Sequence, residues 1–160
     1  MKIGFYAGSF DPFTNGHLNI VERASKIFDQ VLIGVSNNPT KKYLFTQNER
    51  IDLIKQTTKH LSNVTVVKHD EGLLVSFARK KGANILIRGI RNGLDIDVEE
   101  MMADMNHSQE PDLETLFLMA KPTNRFISST LVKEVSDLNG DVKELVPLVV
   151  YEALEAKKKQ

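Results

Sequence analysis

Cysteine is absent from this 160-residue sequence, which excludes disulfides and thiolate metal sites without fixing a compartment. Net charge is absent too, because 21 lysines and arginines balance 21 aspartates and glutamates. A neutral chain offers no broad basic surface for duplex DNA and no acidic solvating tail. Nucleic acid is therefore not an expected partner, and any nucleotide contact must come from locally placed cations. No apolar run approaches the roughly 20 residues that span a bilayer, and no signal-peptide pattern is visible. A cytoplasmic protein that makes no membrane contact is the expectation. Repeats, low-complexity tracts and linkers are also missing, so residues 1–160 are expected to form a single domain. A hydrophobic share of 41% and a charged share of 26% lie in the globular range, and the length suffices for a real core. The four histidines, His17, His60, His69 and His107, lack the H-x-x-x-H or H-x-x-E-H spacing of zinc sites, so no metal ligands are assigned. No G-x-S-x-G elbow is present, which removes a serine hydrolase.

What is present is an alternation of strand-length apolar runs with helix-period segments. Strands are expected at Ile3–Ala7, Val31–Val35, Val64–Val67, Asn84–Ile87 and Leu116–Met119. A helix is expected to begin at His17 and run to Phe28, with Ile20, Val21, Ala24, Ile27 and Phe28 inward. Thr46 and Glu49 form a capping box that opens a second helix, with Ile51, Ile54 and Leu61 inward. A short helix over Leu73–Lys81 stops at Gly82, and an acidic one runs from about Leu94 to Asn106. Ser128, Ser129 and Thr130 start a further helix, carrying Leu131, Val132 and Val135, that Asn139-Gly140 ends. Asp141 and Glu144 predict a capping box for the last helix, through Ala156, and the Lys157–Lys159 run suits its C-terminal dipole. Strands apolar on both faces, each followed by a helix, predict an α/β fold: a doubly wound, five-stranded, mainly parallel sheet with helices on both faces. Ligands of such sheets bind beyond the carboxyl ends of the strands.

The most informative stretch is Gly8-Ser9-Phe10-Asp11-Pro12-Phe13-Thr14-Asn15-Gly16-His17, directly after the first strand. A glycine-bearing turn opening a helix presents unpaired N–H groups to an anion. The spacing is neither the dinucleotide fingerprint nor the Walker loop. Candidate anion ligands recur after other strands: Lys41 and Lys42 after the second, Arg88 and Arg91 after the fourth, and the Ser128–Thr130 hydroxyls after the fifth. Each taken alone has a bland reading. His17 could be a satisfied helix-start residue, the lysines a solvated loop, Ser128–Thr130 a plain N-cap, and Asp95, Asp97, Glu99 and Glu100 a polar helix face. Gly89 beside Arg88 suggests room for a ligand against the backbone. Asp11 stands where a receiver domain keeps its phospho-acceptor, but the acidic cluster such a domain needs is missing. Together the groups suit a polyphosphate.

Gly8–Pro12 with Thr14, Gly16 and His17 resembles the G-[ST]-F-D-P-x-T-x-G-H signature of the (H/T)-x-G-H nucleotidyltransferases. Ile87–Arg91 and Phe126–Lys133 resemble that superfamily's second and third motifs, and the motif order with Lys41 after Pro39 is similar to the bacterial phosphopantetheine adenylyltransferases along nearly the whole chain. The resemblance implies that ATP and 4′-phosphopantetheine give dephospho-coenzyme A and pyrophosphate with Mg²⁺, the penultimate step of coenzyme A biosynthesis. It implies a homohexamer, with coenzyme A as a candidate inhibitor. Carried over by position, Ser9 contacts both substrates; Phe10, Gly89, Ile90, Arg91, Glu99 and the run Asn124, Arg125, Phe126, Ile127, Ser128, Ser129 and Thr130 bind ATP. His17 binds the ATP phosphates and, with Lys41 and Arg91, forms the catalytic set; Lys41, Leu74 and Arg88 hold the pantetheine substrate. Ser9 stands where many members have threonine and Thr130 where many have serine, and both keep a hydroxyl. Two rival readings remain: a sibling that adenylates nicotinamide mononucleotide or transfers cytidylate to an alcohol phosphate, and a catalytically silent nucleotide-binding module.

Overall fold

The computed structural model describes residues 1–159. Five strands form one all-parallel sheet in the order β3-β2-β1-β4-β5: β1 Ile3–Gly8, β2 Gln30–Ser36, β3 Val64–His69, β4 Ile85–Ile90 and β5 Glu114–Met119. The helices are α1 Asn15–Ala24, α2 Gln47–Thr58, α3 Leu74–Lys80, α4 Gly93–Gln109, α5 Ser129–Asp137 and α6 Leu148–Lys158. The chain winds outward from β1 to β3, crosses back to β4, and winds out again to β5, so the strand order reverses between β1 and β4. Helices α1, α2, α5 and α6 bury Val21, Ile54, Val132 and Leu154 against Tyr6, Ile33 and Ile87 on one face. On the other face Val75 and Ala78 of α3 cover Phe5, Leu32 and Leu86.

The expected strands and helices all form, most with ends displaced by one to three residues; Leu61 lies beyond the end of α2 at Thr58 rather than on that helix, and four further differences have local causes. Helix α1 begins at Asn15 with Thr14 as its N-cap, so His17 is the third helical residue rather than the first. The helix stops at Ala24, and the next turn tightens, with the Ile27 N–H donating to the Ala24 carbonyl three residues back. That tighter winding turns Ile27 outward, 51% exposed, while Phe28 stays buried. Strand β4 runs on through Arg88 and Gly89 to Ile90 because β5 pairs with it along that length. Finally, Asp141 accepts from the Lys143 N–H in a local turn, and the last helix starts only after Pro147. A residue before proline is disfavoured in the helical region, so Val146 cannot continue a helix begun at Asp141.

Helix α4 is the exception to the packing, since none of its 17 residues is buried. Full burial of one large apolar side chain is worth about 1.5–3 kcal/mol, and α4 has no such contribution within this chain. Polar bonds to β4 and the segment after it hold it instead.

Candidate active site

An open cavity of about 670 Å³ lies beyond the carboxyl ends of the strands, over the β1–β4 switch point. Its lining brings together Ser9, Phe10, His17, Lys41, Arg88, Gly89, Arg91, Glu99, Asn124, Ile127 and Ser128–Thr130. These positions are spread over the chain; parallel strands deliver them to one edge.

The turn after β1 is built by its own side chains. Phe10 adopts a left-handed backbone, φ 52, and its ring lies against Gly8, where a Cβ would stand 3.0 Å from it. Thr14 and His17 form the capping box of α1: the Thr14 N–H donates to His17 Nδ1 at 3.0 Å, and the His17 N–H donates to Thr14 Oγ1 at 3.3 Å. Since Nδ1 accepts a backbone proton, the neutral ring carries its own proton on Nε2. Burial, then the charges of Arg91 and Arg88, lower the His17 pKa to about 4. At neutral pH His17 is therefore an uncharged imidazole with one N–H left to donate.

The two arginines reach the cavity from the opposite side. Alternation places Arg88 on the face of Leu86, beneath α4, where it makes a two-pronged ion pair with Glu99 at 2.7 and 2.6 Å and donates to the Ala7 carbonyl at 3.1 Å. Burial alone would lower the Arg88 pKa, but the bonds and charge of Glu99 outweigh it and raise it. Asp95, which Asn92 places in the first turn of α4, accepts from the Arg91 backbone and side chain at 2.9, 3.0 and 3.2 Å. Burial would raise the Asp95 pKa; the Arg91 bonds prevail and hold it below the ordinary value. Ser128 caps α5 by accepting from the Leu131 N–H at 3.1 Å, and Ser129 Oγ donates to the Pro12 carbonyl at 2.8 Å, tying α5 to the β1 turn.

Four of the residues singled out in the sequence are not on the lining. Ile90 is wholly buried in the sheet, Phe126 projects outward at 59% exposure, and Arg125 donates at 3.5 Å to the Ala120 carbonyl. Leu74 opens α3 and packs against the core on that face. Gly89 does line the cavity, but the space a Cβ would take is filled by Ile20 at 3.3 Å. The glycine thus admits α1 close to β4. Conversely, Tyr6, Asp11, Tyr43, Asp95 and Lys133 line the cavity although the sequence reading gave them no place in the site. Tyr6 and Asp11 lie in or beside the first motif and Lys133 closes the third, so motif membership was the available signal. Asp95 follows Arg91 by four residues, the spacing of a helical ion pair, while Tyr43 carried no signal. Among the described residues no group of three or more histidine or acidic side chains is placed to hold a metal ion.

Such a cavity can bind adjacent phosphates and stabilise charge developing on one of them. Comparisons with known proteins agree. Residues 5–135 match the cytidylyltransferase-like family. Over 157 residues, 98% of this chain and 99% of the relative, the sequence is 46% identical to a phosphopantetheine adenylyltransferase of Alkaliphilus metalliredigens (strain QYMF). Among solved structures, a candidate nicotinate-nucleotide adenylyltransferase from Vibrio parahaemolyticus superposes with TM-score 0.67 at 20% identity, covering 97% of this chain and 99% of that one. A bifunctional NMN adenylyltransferase/ADP ribose pyrophosphatase from Francisella tularensis gives TM-score 0.76 at 16% identity, covering 99% of this chain and half of its own. Those two likenesses concern the fold. With the family match spanning most of its length, and a relative 46% identical to it over 98% of the chain, the chain belongs to the cytidylyltransferase-like family and, within it, to the phosphopantetheine adenylyltransferases.

Proposed function

We propose that this chain transfers the adenylyl group of ATP to 4′-phosphopantetheine, giving dephospho-coenzyme A and pyrophosphate. One observation carries the reading beside the 46% identical relative: a cavity of about 670 Å³ collects an imidazole donor, Lys41, Arg88, Arg91 and the N-terminus of α5. The acceptor's phosphate oxygen is already anionic near neutral pH, so no general base is needed. The protein must instead bring two anions into line and stabilise charge on the α-phosphate and the departing pyrophosphate. In this reading Lys41 and Arg88 hold the acceptor's phosphate, with Leu74 near its arm. Arg91, His17 Nε2–H and the free N–H groups at Ser128–Thr130 face the triphosphate, and no covalent intermediate forms. Ser9 lies between the substrates. Phe10, Gly89, Glu99 and the 124–130 segment border the adenylate, to which Ile90, Arg125 and Phe126 would contribute by backbone or after rearrangement.

The donor set does not fit a dedicated Mg²⁺ cage, since Asp11, Asp95 and Glu99 are each engaged by Lys133, Arg91 and Arg88. Mg²⁺ would arrive with ATP, held mainly by phosphate oxygens and water. Coenzyme A, which shares the product's pantetheine and adenylate, is expected to compete for the same cavity. A cytoplasmic location accords with the absence of any helix long and apolar enough to cross a membrane among the described residues. Assembly as a homohexamer is proposed as well, supported by the exposed apolar residues Leu94, Val98, Met101, Met102 and Met105 of α4.

The test is pyrophosphate release with ATP and each acceptor in turn. Turnover is expected with phosphopantetheine and not with nicotinamide mononucleotide, nor with CTP and an alcohol phosphate. ATP binding without turnover of any acceptor would sink the reading. His17→Ala is expected to lower kcat by about 100-fold or more, as for loss of one preorganised donor. Arg88→Ala is expected chiefly to raise KM for phosphopantetheine.

A further inference from the structure

Arg50, in α2, does not line the cavity, yet it is the largest fully buried side chain among the described residues, 1% exposed. Burying a guanidinium is costly unless its donors are satisfied, and here each acceptor is a neutral carbonyl. Nε donates to the Phe45 carbonyl at 3.2 Å, Nη1 to those of Ser9 at 2.6 Å and Ser36 at 2.9 Å, and Nη2 to Asn37 Oδ1 at 2.9 Å. The Tyr43 ring lies 4.1 Å from the guanidinium carbon. One side chain thus joins the substrate-facing turn after β1 to both ends of the 37–45 loop, which carries the exposed Lys41 and Lys42. An apolar residue would fill the volume, but only a planar fork of donors reaches three separate segments at once.

Asp11 secures the loop's exit independently. It is 3% exposed; Oδ1 accepts from the Phe45 N–H at 2.9 Å, and Oδ2 accepts from the Leu44 N–H at 2.8 Å and from Lys133 Nζ at 3.2 Å. Between these anchors the loop folds on itself: Tyr43 Oη accepts from the Asn38 N–H at 2.8 Å, and the Lys41 N–H donates to the Asn38 carbonyl at 3.0 Å.

We propose that Arg50 and Asp11 are positioning residues that clamp the Lys41–Lys42 loop against the turn after β1, holding Lys41 where it meets the acceptor's phosphate. The identity of that phosphate rests on the function proposed above; the clamp itself does not. Two conservative substitutions test it. Arg50→Lys keeps the charge and loses the fork, and Asp11→Asn keeps the shape but turns an acceptor into a donor facing N–H groups. In the folded protein each is expected to speed tryptic cleavage after Lys41 and Lys42 about tenfold or more, with cleavage at the exposed Lys59 and Lys143 unchanged, because local opening governs such cuts. General weakening of the fold would speed every site alike. The second readout is a cycle with Lys41→Ala: the Arg50→Lys loss in kcat/KM should fall to within about twofold of unity once Lys41 is gone, since coupled residues are not additive. Unselective cleavage, or losses that multiply, overturns the clamp while leaving the proposed function standing. A wild-type protein that fails to turn over phosphopantetheine overturns that function instead, and the tryptic pattern alone then decides the clamp.

Discussion

His17 shows how one residue can be at once structural and chemical. Its Nδ1 completes the cap of α1, and that same bond fixes the proton on Nε2. With a folded pKa of about 4 against an ordinary 6.5, the imidazole resists a proton that the unfolded chain accepts. The sign follows from that difference. Above pH 6.5 the titration of His17 has no effect on stability; as pH falls from 6.5 towards 4 the unfolded state gains protons and stability declines, levelling off below about 4. Denaturant midpoints measured against pH should show this decline in the wild type and a shallower one in His17→Asn, the difference between the two curves isolating this group. The ring's own NMR titration should centre near 4 rather than 6.5. At this scale the sequence was only half legible. The motif marked His17, Ser9, Lys41 and Arg88, but not that Glu99 and Asp95 occupy both arginines in the free protein. Asp95 read as part of a polar helix face and Glu99 as either that or, by resemblance, an ATP contact; the Glu99 pairing waits on the fold setting α4 beside β4, whereas Asp95 reaches Arg91 four residues back.

The elements formed where local chemistry was explicit and shifted where it was weak. Thr46 and Glu49 make the capping box that their spacing announces, with Thr46 Oγ1 accepting from the Glu49 N–H at 3.2 Å and Glu49 accepting back at 2.7 Å. The Thr46 backbone bond first, then Lys157, lowers the Glu49 pKa. Thr46→Ala is expected to cost about 1 kcal/mol, read by thermal unfolding. Asp141 and Glu144 have the same spacing but not the helix, because Pro147 sets the start. A second constraint belongs to β2. A Cβ on Gly34 would stand 2.4 and 2.6 Å from the wholly buried Phe5 ring, which has no room to retreat. Gly34→Ala should destabilise by about 1–3 kcal/mol, the usual cost of overpacking, and leave the site's residues untouched. Its glycine is unremarkable in the sequence, since the ring it faces lies on a neighbouring strand.

At the scale of the molecule, α4 is unfinished. Leu94, Val98, Met101, Met102 and Met105 are more than half exposed, and Phe117 and Met119 of β5 are 37% and 45% exposed. So much apolar surface beside one another is unusual on a monomer. In the proposed hexamer these residues meet other copies. Met102→Glu combined with Met105→Lys is then expected to shift the sedimenting species to smaller assemblies; an unchanged monomer before and after substitution would contradict the hexamer. The sequence by itself determined the alternation of strands and helices, the parallel sheet and the first, second and third motifs, because hydrophobic period, caps and glycine turns act within a few residues. Only the tertiary structure decided that Arg50 is a buried hub, that Asp11 holds the lysine loop, and that Arg88 rests on α4. The bonds of Arg50 to Ser9 and Ser36, of Asp11 to Leu44 and Phe45, and of Arg88 to Glu99 join segments 11 to 41 residues apart, so the winding and packing of the sheet set their distances; Arg91 and Asp95, four residues apart, instead meet within one turn.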